Sequence, residues 1–290
     1  MDVNAPNRCA TQEIAEIISN RQLTASIFKI EVECSGIASV IRPGQFLMIR
    51  PQAGYDPLLG RPLAVYDVHS DGEGHARSIS LVYQVFGRGT ARLSQMKAGE
   101  DVRIWGPLGH SFDVEPEPGR IWFVAGGIGY TPFLALGKWW LGRSPYGGLS
   151  LVEPVSRTIE FLYGSRSAAL LPPLDEFNDA GIKVSLCTDD GSTGYHGRVT
   201  DLMSHRLEES ANCMPDLIVA CGPEPMLAAV SRWAGERQIR CLVSLENQMA
   251  CGFGACFSCV APIRQTDGSI DLRRVCIEGP IFEASQVAWH

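Results

Sequence analysis

The sequence predicts a β-barrel plus α/β protein closed by a small cysteine-rich unit, and three observations predict it. The first third breaks into short runs of branched and aromatic residues separated by Gly, Pro and Asn. The middle alternates such runs with helix-like segments, the pattern of a mostly parallel sheet whose neighbouring strands need crossover connections. The last forty residues hold four of the chain's ten cysteines.

The barrel comes first. Strand-like runs cover residues 13–18, 26–32, 45–50 and 78–86, and many short strands without long helical periods suggest closure into a barrel. The run Glu115-Pro116-Glu117-Pro118-Gly119 is polar and rigid with no apolar anchor, as inter-domain linkers commonly are, and bounds this unit at 1–118. Beyond it a buried-strand pattern over 121–125 leads through a Gly-rich turn into an apolar helical segment over 132–140. Further strands are expected over 159–163, 182–187, 216–221 and 240–245, which gives an α/β unit over 119–240 and a cysteine-rich unit over 241–290. Ligands of such a sheet sit at the carboxyl ends of its strands. Residues 143–157, with Ser144-Pro145-Tyr146-Gly147-Gly148, read as an irregular insertion.

Composition narrows the function. With 290 residues, 45% hydrophobic and 20% charged, the chain is globular rather than disordered. Its net charge of −7 offers no long-range attraction to nucleic acid or to an anionic membrane surface. The first ten residues lack a basic segment followed by an apolar run, and no stretch approaches the roughly 18 apolar residues that span a bilayer. The expectation is a soluble cytoplasmic protein whose partners are proteins and small molecules.

Residues 251–259 read Cys251-Gly252-Phe253-Gly254-Ala255-Cys256-Phe257-Ser258-Cys259, with four residues inside the first cysteine pair, two inside the second, and sixteen more before Cys276. This is the spacing of plant-type [2Fe–2S] ferredoxins. A short loop must wrap a compact cluster and aim N–H groups at its sulfurs, and Gly252 and Gly254 leave room for that. A zinc site is the alternative, but zinc usually pairs its thiolates in two short knuckles, and the first pair here is too widely spaced. Cys9, Cys34, Cys187, Cys213 and Cys241 show no ligand spacing, and most of them read as small buried residues. The six histidines show no metal-ligand pairing on a common helix face.

Two further regions suit nucleotides. Arg61-Pro62-Leu63-Ala64 offers a planar guanidinium to a pyrophosphate, and Gly87-Arg88-Gly89-Thr90 ends a strand and opens a short helix with Thr90 as its expected N-cap. Either is also an ordinary turn when taken alone. Gly126-Gly127-Ile128-Gly129-Tyr130-Thr131-Pro132 lies between a strand and a helix, where phosphate-binding turns belong, although its spacing departs from the dinucleotide fingerprint. Cys221-Gly222-Pro223 ends another strand of the same sheet, and reads either as a turn with a buried thiol or as a wall beside a nicotinamide ring. Asp189-Asp190-Gly191-Ser192 is turn chemistry that could also reach a ribose, and Arg166 could meet an additional phosphate.

Taken in order, Arg61-Pro62, Gly89-Thr90, the Gly126 turn, Thr188-Asp189-Asp190-Gly191-Ser192, Cys221-Gly222-Pro223 and the Cys251 loop closing at Cys276 resemble the electron-transfer subunit of type 1B dihydroorotate dehydrogenase. The resemblance runs over nearly the whole chain. It implies the ferredoxin reductase superfamily, with a flavin-binding barrel, a nicotinamide-binding α/β domain and a C-terminal cluster domain. It implies FAD contacts at Arg61, Pro62, Leu63, Ala64, Val82, Tyr83, Gln84, Gly89 and Thr90, and NAD contacts at Gly126, Gly127, Gly129, Thr131, Pro132, Cys221, Gly222 and Pro223. It implies cluster ligation by Cys251, Cys256, Cys259 and Cys276, and a hetero-oligomer with an FMN-containing catalytic subunit that oxidises dihydroorotate. The chain departs from the family at Ala64, where Ser is usual, and at Gln84, where Arg is usual. Two rival readings are a reductase subunit of a hydrogenase-type, oxygenase or ferredoxin-linked complex, and a zinc-stabilised binding module.

Overall fold

The computed structural model describes residues 10–52, 54, 56–112, 119–149, 154, 158–209 and 213–289. The expected linker over 115–118, Cys9, His290 and much of the second half of the 143–157 insertion lie outside the described residues.

Six antiparallel strands close the barrel: β1 (Thr11–Gln22), β2 (Ile27–Glu33), β3 (Phe46–Pro51), β4 (Arg61–Ser70), β5 (Ala76–Gln84) and β6 (Asp101–Leu108), in the order β1-β2-β5-β4-β3-β6. Alternation decides which side of each strand faces in. Ala15 and Ile17 of β1 are fully buried with Ile30, Val32, Leu47, Ile49, Val65, Ile79, Leu81, Val102 and Ile104, and the intervening residues face outward. Two short helices, α1 (Ser35–Ala38) and α2 (Arg88–Leu93), accompany the barrel strands.

A seven-stranded sheet follows, in the order β10-β9-β8-β7-β11-β12-β15. Its strands are β7 (Arg120–Gly126), β8 (Thr158–Ser165), β9 (Lys183–Thr188), β10 (Tyr195–His196), β11 (Leu217–Cys221) and β12 (Arg240–Ser244), all parallel, with the antiparallel β15 (Ile281–Glu283) at one edge. β7 reads as an unbroken apolar run because both of its faces are covered. Trp122 and Val124 enter one core, and Ile121, Phe123 and Ala125 the other. The connecting helices are α3 (Phe133–Trp140), α4 (Asp175–Asp179), α5 (Val199–Glu209) and α6 (Glu224–Glu236).

The cysteine-rich segment contains a two-stranded hairpin, β13 (Val260–Arg264) with β14 (Ile270–Arg274), and the single turn α7 (Val275–Glu278). It lies between β12 and β15, so the chain leaves the large sheet, builds the cluster loop and returns to the same sheet's edge. β12, which the sequence reading split across residue 240, is a strand of that sheet.

Among the described residues, two ionic contacts join barrel and sheet. Lys29 on β2 meets Glu176 on α4 at 2.5 Å, and Lys138 on α3 meets the buried Asp67 on β4 at 2.5 Å. Tyr146 completes the second contact by donating to Asp67 Oδ1 at 2.8 Å. The first part of the 143–157 insertion is therefore anchored to the barrel through a buried phenol.

Candidate functional site

Arg61, Pro62, Leu63 and Ala64 form the half-buried start of β4, paired with β3, while the buried Val82 and Tyr83 and the half-buried Gln84 end β5, the strand on the other side of β4. The Arg61 guanidinium donates to the carbonyls of Leu59 and Gly60 at 3.0 Å each and lies over Gly89, where an added Cβ would sit 3.0 Å from it. The arginine and the glycine turn thus converge, 28 residues apart in sequence, on one cradle. Gly87 is the N-cap of α2, and Thr90 stands at its third position, not at the cap expected from sequence. Its hydroxyl instead accepts from the backbone N–H of Phe86 and Gly87 at 3.3 Å each, because a side chain inside the first turn can reach back to the orphan donors before it. Tyr83 donates to Asn20, and the Asn20 amide donates to the carbonyls of Leu93 and Met96, which fixes α2 against the strands. The Gln84 amide donates to the Ser26 hydroxyl at 3.4 Å.

A cavity of about 660 Å³ lies between this face of the barrel and the carboxyl ends of the sheet. Gly126, Gly127, Gly222 and Pro223 line it from the sheet, and Ser26 and Gln84 from the barrel. Gly129, Thr131, Pro132 and Cys221 are buried and do not line it. A Cβ on Gly129 would lie 2.2 Å from the Cys221 carbonyl oxygen, so only glycine lets the turn close on β11. Burial pushes the Cys221 thiol well above its ordinary range, with the Glu246 carboxyl nearby adding to the shift and a hydrogen bond to Ser244 opposing it. Glu246 opens onto the cavity, and desolvation by the surrounding protein raises its carboxyl too. Asp189 and Arg166 line the cavity, whereas Asp190 holds the turn by accepting from the Ser192 hydroxyl at 2.6 Å and its backbone N–H at 3.0 Å.

The cysteine loop sits on the barrel's outer surface. Gly252 and Gly254 both have positive φ, and a Cβ on Gly252 would lie 2.6 Å from Met48 Cγ, so the loop packs directly onto β3. Trp105 on β6 donates its indole N–H to the Cys251 carbonyl at 2.9 Å. Arg274 stacks over Phe257, itself at positive φ, and donates to the Gly254 carbonyl. Hydrogen bonds from the Ser258 side chain and backbone, and then from Cys251, pull the exposed Cys256 thiol down to about 6. Burial, with Cys259 alongside, pushes Cys276 up to about 12. Cys251 acts on Cys256, and both Cys259 and Cys251 act on Cys276, so the loop thiols and Cys276 converge. Among the described residues no three His, Cys, Asp or Glu side chains gather closely enough to hold a single metal ion. Two thiolates for each of two irons is the donor set of a [2Fe–2S] cluster, and a loop whose glycines leave no room for side chains fits that group.

A family model described as the iron–sulfur cluster binding domain of dihydroorotate dehydrogenase B matches residues 246–288. A protein of Enterococcus faecalis named "Dihydroorotate dehydrogenase B (NAD(+)), electron transfer subunit" is 36% identical over 280 residues, covering 95% of this chain and 98% of that one. The chain belongs to this family. Its Caldanaerobacter subterraneus relative, of the same name, is 34% identical over 94% of this chain and 97% of its own length. A solved chain of the NADH-dependent reduced ferredoxin-NADP oxidoreductase, studied for flavin-based electron bifurcation, is 28% identical with a TM-score of 0.77, covering 96% of this chain and 90% of that one. The ferredoxin reductase of carbazole 1,9a-dioxygenase, at 18% identity and a TM-score of 0.64 over 79% of this chain and 67% of its own, shares the fold.

Family membership makes the chain an electron-transfer oxidoreductase subunit of ferredoxin-reductase-like fold. Around its cradle stand residues that sequence reasoning passed over. Leu58, Leu59 and Phe86 are exposed by 66%, 49% and 87%, an apolar rim suited to an aromatic cofactor. No periodic signal marks Leu58 and Leu59, which sit in a loop, and Phe86, expected at the end of the 78–86 strand, lies beyond β5, which ends at Gln84. Trp105 was equally silent, since its role depends on a partner 146 residues away.

Proposed function

We propose that this chain is the electron-transfer subunit of an NAD-linked dihydroorotate dehydrogenase, carrying FAD in the Arg61–Gly89 cradle, a [2Fe–2S] cluster on Cys251, Cys256, Cys259 and Cys276, and NAD in the cavity. The observation that carries the reading is that the cysteine loop rests on β3, the strand paired with the one bearing Arg61, and on β6 beyond it. FAD accepts one or two electrons and the cluster one, so the pair supplies conversion between hydride and single-electron chemistry when bound. The chain's own residues bind and orient. Arg61 and the α2 turn hold a pyrophosphate, Gln84 and Ala64 border the ring, and the glycines at the ends of β7 and β11 admit a nicotinamide. No side chain need act as acid or base.

The partner in this reading is an FMN-containing catalytic subunit that oxidises dihydroorotate, with the exposed cluster loop facing it in a cytoplasmic hetero-oligomer. Among the described residues no helix is long and apolar enough to cross a membrane. Three functional units are assigned, flavin over 1–118, nucleotide over 119–240 and cluster over 241–290, with β12 and β15 tying the third into the sheet of the second. The test combines the chain with its catalytic subunit and follows NAD⁺ reduction by dihydroorotate. NADH should form only when both are present, and robust oxidation of dihydroorotate by this chain alone with a dye acceptor would contradict the assignment. The likeness to the bifurcating oxidoreductase favours a second reading, a reductase subunit serving another redox partner. Purification with native partners separates the two, since only the first expects a dihydroorotate-oxidising subunit to accompany the chain.

A further inference from the structure

Trp105 is in contact with both halves of the proposed relay. Its indole N–H donates to the Cys251 carbonyl at 2.9 Å. Its other edge packs on Gly60, the residue immediately before Arg61, so closely that an added Cβ would lie 2.5 Å from Cη2 and 3.1 Å from Cζ2. Strand register supports the same line. Met48 pairs with Pro62 on one side and with Trp105 on the other, and its side chain packs under Gly252. One indole therefore spans from the backbone that carries the flavin arginine to the backbone of the first cluster cysteine. It does so at a half-buried position on the barrel's exterior, where burial alone does not call for a tryptophan.

We propose that Trp105 is a positioning residue for electron transfer, holding the cluster loop at a fixed separation from the flavin-binding strand; this rests on the function proposed above. Each event moves one electron, oxidising the flavin by one and reducing the cluster by one or the reverse, and no bond is made or broken. NADH supplies the electrons in pairs. Electron tunnelling weakens steeply with the gap, and passes better through bonded and hydrogen-bonded atoms than through empty space. A loop freed to shift would slow the transfer without removing either group.

The experiment uses the full chain reconstituted with FAD, iron and sulfide, as wild type, Trp105→Phe and Gly60→Ala. Phe keeps a ring on Gly60 and loses the N–H, whereas Ala forces the indole aside. The readouts are iron and flavin content, the electron paramagnetic resonance line shape of the reduced cluster, and the flavin-to-cluster rate after rapid mixing with NADH. Trp105→Phe should keep full cofactor content, change the line shape and slow the transfer about tenfold, the scale on which small misplacements act. Gly60→Ala should slow it in the wild-type background and add little in the Trp105→Phe background. An unchanged rate at full occupancy overturns the proposal, and so does loss of iron from Trp105→Phe, which would make the tryptophan an anchor for the cluster alone. Absence of flavin or iron in the unsubstituted chain would instead strike the functional reading itself.

Discussion

Lys29 and Glu176 meet at 2.5 Å across the junction of barrel and sheet, and the other Glu176 oxygen accepts from the Tyr66 hydroxyl at 2.6 Å. Burial of Glu176 works to raise its carboxyl, but the hydrogen bonds from Lys29 and Tyr66 outweigh it and hold the group below its usual range. A depressed carboxyl contributes stability that is complete above the unfolded value, 4.5, and is lost as pH falls through the lower folded value. Because the Glu176 side chain is 48% exposed, solvent screens the pair and the contribution is modest. Glu176→Gln should cost about 1 kcal/mol at pH 7 and nearly nothing once both states are protonated. Urea melts at neutral and strongly acid pH measure the difference, and a penalty that persists unchanged in acid contradicts the assignment.

On the proposed ligand set the thiols divide into ligands and bystanders. Cys259→Ser should deplete iron and sulfide and remove visible absorption due to the cluster, while Cys213→Ser should leave both unchanged. Metal analysis on protein prepared without oxygen decides between them, and equal iron in the two variants would count against the ligand set.

Ala64 stands at the cradle without a hydroxyl. Ala64→Ser should add one hydrogen bond at the flavin and alter the rate of flavin reduction by NADH by about 1 kcal/mol, roughly fivefold. Anaerobic stopped-flow absorbance reads this directly. An identical rate would show that position 64 does not face the reacting part of the ring.

Gly129 lies too close to the Cys221 carbonyl for any side chain. Gly129→Ala should destabilise the protein by about 1–3 kcal/mol, the usual cost of overpacking, and weaken nucleotide binding as the turn backs away from β11. Thermal melts with and without NADH test both effects, and a variant as stable as the parent would mean that the turn has room to spare.

Much of the architecture was legible because it is written in local patterns. The buried run of β7, the alternation in β1 and the spacing of Cys251, Cys256 and Cys259 each signal through neighbouring residues. Features that depend on distant pairing stayed silent. β4 begins with the Arg61-Pro62 turn signal and so read as a loop, and β6 carries Gly106-Pro107, which masks a strand. The return of β15 to the edge of β12 is invisible in three residues, although it makes the cluster segment an excursion from the large sheet. Thr90 lies one turn further into its helix than the cap position expected of a threonine after glycine, because only the backbone shows that the helix begins after Gly87. The ionic contacts of Lys29 and Asp67 lie 147 and 71 residues from their partners, beyond any pattern a single sequence displays.

In the proposed relay a two-iron cluster on the Cys251 loop exchanges electrons with a flavin held at Arg61. Electron paramagnetic resonance of the anaerobically reconstituted protein after addition of NADH tests it most directly. A paramagnetic two-iron signal should appear together with bleaching of the flavin band. Protein that contains iron and flavin but gives no such signal with either NADH or dithionite would contradict it.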